Sequence, residues 1–239
     1  NKKTFWRVRK VDKMGGDVLA HVLIGGIFCL FGLKWACEYT HFWVQNPRRC
    51  SENSPLSATQ KLTSKCEKLF INHPVEGSLK LIATAFGLIG TIAADLPDSS
   101  MVSPKVVHAT IYLFFALSGL VDVLTFYFPR NVTKGLASLA LAQSFFAEGF
   151  LFMWALPEYN MINNILAAIV WATVLTIGAE LIWPDLKLLR AFMTLLHGGW
   201  MAHMVRVFHV DPLSSSKIAL AFSWHIAAAF GVTIIVVVM

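Results

Sequence analysis

Seven apolar stretches, each close to the roughly 20 residues that a helix needs to cross a bilayer, divide most of this 239-residue chain. They fall at about 17–39, 78–97, 105–128, 132–155, 160–183, 184–208 and 216–239. Lys34, Trp35 and Tyr39 close the first in an interfacial belt, and Pro97, Pro129, Pro157, Pro184 and Pro212 punctuate the later joins. Such a pattern predicts an all-α membrane protein, a bundle of seven transmembrane helices. Composition agrees: 56% hydrophobic against 14% charged residues, with a mean hydropathy of +0.61, lies outside the soluble globular range.

The charged residues concentrate outside these runs. Residues 1–16 are basic, with Lys2, Lys3, Arg7, Arg9, Lys10 and Lys13 beside Phe5 and Trp6, and read as a juxtamembrane segment lying on lipid headgroups. The transmembrane domain then runs over 17–239, interrupted by one long polar loop at about 40–77. The remaining connections are short, so neighbouring helices are antiparallel. The basic segment and the long loop lie on opposite faces and carry similar numbers of Lys and Arg, so the positive-inside count cancels. The net charge of +6 comes without any nucleic-acid motif, which makes membrane lipids, and other membrane proteins, the expected partners. Cys50 and Cys66 share the long loop and could pair in an oxidising compartment, whereas Cys29 and Cys37 belong to the first apolar run. Gly25, Gly26, Gly32, Gly87, Gly90, Gly198 and Gly199 are expected to let helices approach closely.

An ionisable group inside hydrocarbon is costly, and therefore a functional hypothesis. The run VVHATIYLFFALSGLVDVLTFYF at Val106–Phe128 carries two, His108 and Asp122. Antiparallel helices allow depth to be counted from a common face at about 1.5 Å per residue. On that count His21, Asp95, His108, Glu148, His197, His203 and His225 all fall roughly 3–16 Å below the face on which the N-terminus lies. Tyr112 stands one turn from His108, Ser144 one turn before Glu148 and Thr91 one turn before Asp95, giving each a polar neighbour. His197 and His203 are six residues apart and so about 120° apart around their helix, which directs one inward and the other towards a neighbour. The opposite half holds chiefly Asp122 and Glu180, with Lys34 and Lys80 near enough to helix ends to snorkel. Asp122 has no evident partner, and Glu180 beside Trp183 reads as interfacial.

Imidazoles and carboxylates meeting in a dry pocket suit zinc or another transition metal, which takes three or four such ligands and activates a water. That chemistry puts a metal on His108, His225 and one of His21, His197 or His203, with Glu148 as ligand or general base, in a membrane-embedded, lipid-hydrolysing enzyme. Asp95, Tyr112 and Ser144 would support it. The same groups would serve a proton-coupled carrier, or a polar layer that holds the helices of a non-catalytic subunit or scaffold in register.

The segments HVLIGGIFCLFGLKW (His21–Trp35), HATIYLFFALSGLVDVL (His108–Leu124), FFAEGFLF (Phe145–Phe152), LLHGGW (Leu195–Trp200) and SWHIA (Ser223–Ala227), in this order and spacing, resemble the transmembrane protein 45 family of multi-pass membrane proteins. The resemblance runs from about Gly15 onward, apart from much of the first loop. It implies histidine at the positions of His21, His108 and His225, an acid at Glu148 and usually one near Asp95. Vertebrate members carry two histidines just after the fourth helix, where this chain reads WALPEYN (Trp154–Asn160), and tend to have glutamine at the positions of His197 and His203. The family name implies no reaction.

Overall fold

The computed structural model describes residues 21–40, 73–93, 103–133, 135–155, 161–209 and 214–238. The basic segment, most of the long loop with Cys50 and Cys66, and Asp95 lie outside them. Among the described residues every regular element is helical: α1 (His21–Thr40), α2 (Val75–Ala93), α3 (Pro104–Tyr127), α4 (Leu136–Trp154), α5 (Met161–Glu180), α6 (Lys187–His209) and α7 (Ser215–Val238).

Helix ends follow local chemistry. Helix α3 starts at Pro104, whose fixed φ and missing N–H suit a first position, behind an extended Ser103. It stops at Tyr127 because Phe128, which precedes Pro129, leaves the helical region at φ −126° and ψ 55°. Gly135 precedes α4 at φ +85°, a left-handed conformation that glycine adopts without strain. Between α5 and α6 the chain turns through an extended Trp183 and a short 3-10 turn, Pro184–Leu186.

Six of the helices, all but α6, are long and apolar enough to cross a membrane, so this is a multi-pass membrane protein. Their outward faces are what lipid requires, with Phe86 and Leu175 each 72% exposed and Trp224 and Phe230 also bare. Helix α6 falls short of that apolarity for a structural reason. It is the most enclosed element, with Ala191, Thr194, Leu196, His197, Trp200 and Met204 all buried, so protein rather than lipid solvates it.

Close helix approach places α1 on α6. A Cβ at Gly25 would lie 2.5 Å from the Gly198 carbonyl oxygen, and one at Gly32 would lie 2.7 Å from Leu195 Cγ. Gly87 likewise makes room for the Tyr112 ring, bringing α2 against α3. Gly26 and Gly90 depart from the expected packing role, since nothing lies within 4 Å of where their Cβ would stand. Phe28, Phe115 and Phe145 pack edge-on or tilted across α1, α3 and α4, and α6 closes this core from the other side.

Candidate functional site

Four residues of the expected histidine layer meet as two pairs. Glu148 on α4 and His197 on α6 are 2% and 0% exposed, with Oε1 3.3 Å from Nε2. The His197 ring is clasped by Phe28, 4.2 Å between centroids, and by Phe145 at 5.8 Å. Among the described residues Glu148 Oε2 and both ring nitrogens of His197 have no hydrogen-bond partner, so the 3.3 Å contact is close but not aligned as a hydrogen bond. On the next turns of α6, His203 lies against His225 of α7, with ring centroids 4.7 Å apart, and stacks on Trp200. The Nδ1 of His225 faces the Ala221 carbonyl at 2.8 Å; a carbonyl can only accept, so Nδ1 carries a hydrogen and donates it. His21 and His108 are half-buried on α1 and α3.

The supporting residues take different partners from those expected. Ser144 donates to the Phe114 and Ala140 carbonyls rather than to Glu148. Tyr112 hydrogen-bonds Thr91, which in turn donates to Gly87 O at 2.8 Å. Among the described residues no three His, Cys, Asp or Glu side chains come together as a metal group. The zinc-like centre expected on His108, His225 and a third histidine finds no such group of three among the described side chains.

The larger polar assembly lies at the other end of the bundle, where α1, α3 and α5 end and α2, α4 and α6 begin. A cavity of about 400 Å³ opens there beside the exposed Glu38 and His73. Its walls carry Lys34 and Glu38 from α1, Glu76 and Lys80 from α2, and Asp122 from α3. Glu180 from α5, with Lys187 and Arg190 from α6, completes them, while α4 contributes Ser138 and Leu141. Counted along the helices, the floor at Lys34, Lys80, Asp122 and Leu141 lies about 7–9 Å below the helix ends, at headgroup-to-acyl depth.

Ion pairs make this burial tolerable. Lys80, only 5% exposed, reaches Asp122 at 2.6 Å and Glu76 at 3.2 Å. Lys34 holds Glu38 at 2.7 Å and also pairs with Glu76, to which the Trp35 indole donates at 3.3 Å. Lys34 and Lys80 thus stay inside and bridge helices, where snorkelling was expected. Asp122 gains in Lys80 the partner that the sequence does not reveal. Across the cavity Arg190 Nη1 comes 3.0 Å from Glu180 Oε2, so Glu180, at the end of its helix, is a buried ion-pair member. That contact is short but not aligned as a hydrogen bond, and Arg190 Nε has no acceptor among the described residues. The Arg190 guanidinium lies 4.3 Å from the centroid of the Trp35 ring, which fixes its plane.

One signal for this site is present in the sequence. Lys34 with Glu38 and Glu76 with Lys80 are both spaced i, i+4, the spacing of side chains that meet on one helix face. No family model matches the chain.

Proposed function

We propose that this chain is a non-catalytic, seven-span membrane protein that binds a small charged ligand in the ionic chamber at one membrane face. The observation that carries the reading is the convergence of charged side chains from five helices on one cavity of about 400 Å³, within the usual size of ligand pockets. Charges needed only for solubility would sit in water, and charges needed only to join two helices would not enclose space. Helix α6 is the proposed seventh span, since its polar residues face protein. Membership in the transmembrane protein 45 family is proposed with it, on the motifs given above.

Thermal unfolding of the purified full chain in detergent, with added small cations, anions and zwitterions, tests this reading. A ligand that binds only the folded state stabilises it by about 2.7 kcal/mol at 100 times its Kd, so at least one probe should raise Tm saturably. A Tm indifferent to every charged probe would sink the proposal.

A second reading, a proton-coupled carrier, draws on one further observation. Arg190, Thr194 and His197 follow one another on α6 at spacings of four and three, leading from the chamber towards the buried Glu148–His197 pair. Proteoliposomes that take up a charged solute under a proton gradient, and lose the coupling in Glu148→Gln, would favour it over simple binding; uptake unaltered by Glu148→Gln would remove it.

A further inference from the structure

We infer that the ligand of the chamber is a zwitterion, an ammonium group and a phosphodiester held a few bonds apart, with the oxyanion on Arg190 and the ammonium on Glu38. This inference rests on the ligand-binding reading above and specifies what is bound.

Charge is divided unevenly around the cavity. The wall built by α1, α2 and α3 sets two lysines, Lys34 and Lys80, against three carboxylates, Glu38, Glu76 and Asp122, and carries one net negative charge. The wall built by α5 and α6 sets Lys187 and Arg190 against Glu180 and carries one net positive charge. Counted over the described lining residues, the chamber is neutral as a whole but polarised across its width. A lone anion would gain on one wall and be repelled by the other, and so would a lone cation. A ligand that is itself neutral and charge-separated gains on both.

The spare bonding capacity points the same way. On the positive wall Arg190 commits Nη1 to Glu180, while its buried Nε–H is left without an acceptor and its plane is held by Trp35. A guanidinium that lines the cavity with its plane fixed suits an oxyanion, phosphate among them, and Lys187 lines the same side. On the negative wall Glu76 and Asp122 are engaged by the buried Lys80, whereas Glu38, paired with Lys34, keeps a side chain 48% exposed at the mouth. It is the carboxylate most open to an incoming ammonium. The interfacial depth of the cavity allows two sources of this chemistry, the headgroup of a zwitterionic phospholipid and a free aminoalkyl phosphodiester.

Titration of the purified full chain in detergent with glycerophosphoethanolamine, glycerol phosphate and ethanolamine tests the inference. Glycerophosphoethanolamine should bind saturably, at least tenfold more tightly than either half-ligand. Lys187→Glu turns the positive wall negative, and should weaken the zwitterion at least tenfold while improving ethanolamine. Glu38→Gln, at an exposed position, should weaken the zwitterion and leave glycerol phosphate unchanged or tighter, which supplies a readout should Lys187→Glu not fold. A parallel measurement in vesicles of phosphatidylethanolamine or phosphatidylglycerol separates the sources. Stabilisation by the phosphatidylethanolamine vesicles without a response to the soluble probe identifies the lipid headgroup, and a response to the soluble probe identifies the free compound; both support the inference. Glycerol phosphate binding as tightly as the zwitterion would overturn the inference and leave the binding reading intact. No response to any probe or to either vesicle would overturn both.

Discussion

Lys80 shows what a charge needs in order to stay at membrane depth. Its ammonium is 5% exposed and is held there by Asp122 at 2.6 Å and Glu76 at 3.2 Å. Removing one member of such a pair strands the other, and that penalty exceeds the net worth of the pair itself. Lys80→Met should therefore lower stability by about 3 kcal/mol, and the double variant Lys80→Met, Asp122→Leu should recover part of that loss. Equilibrium unfolding in mixed micelles measures both, and a double variant less stable than the single one would refute the account of this pair. Residue-scale legibility in the sequence was uneven for the same reason. Depth counting singles out Glu148, His197, His203 and His225, because depth depends only on position along a helix. Which of them touch depends on the rotation of each helix about its axis, and that is decided by packing on partners far away in sequence. A lysine near a helix end is compatible with snorkelling and with pairing alike, so Lys34 and Lys80 give no sign of which they do.

Elements were easier to read than contacts, because a span needs a run of apolar residues and little else. The run expected to begin at 78 is helical from Val75, and the earlier start has a cause: Glu76 reads as loop, yet inside the helix it is neutralised by Lys34 and Lys80. Helix α6 is the opposite case. Its start, expected at 184, is delayed to Lys187 by the 3-10 turn, and although 184–208 reads as an apolar run, the helix is not among the six apolar enough to count as spans. Its seat is set by small residues. Gly25→Ala would drive a methyl to within 2.5 Å of the Gly198 carbonyl and should cost about 2 kcal/mol. Gly26→Ala, one position along and facing open space, should be neutral or stabilising by about 0.5–1 kcal/mol through helix propensity. Comparing the two melting temperatures checks the α1–α6 contact; equal losses would contradict it.

At the scale of the whole molecule the polar groups divide between the two ends of the bundle. Towards one lie the Glu148–His197 and His203–His225 pairs, walled in by aromatic rings; at the other lies the chamber, lined by side chains from six helices. The sequence conveys the first end because histidine and glutamate within long apolar runs stand out. It hides the second because each charge there sits near the end of its own run, and only the assembled bundle brings the six ends around one space. Burial of Arg190 beside Glu180 and Trp35, with Nε unsatisfied, makes that residue the pivot of the functional account. Titration calorimetry of the full chain and of Arg190→Gln with glycerophosphoethanolamine tests it most directly. The account predicts saturable binding that weakens at least tenfold in the variant while both proteins remain folded. Equal binding by the two, or no binding by the unaltered chain in solution or as lipid headgroup, would contradict it.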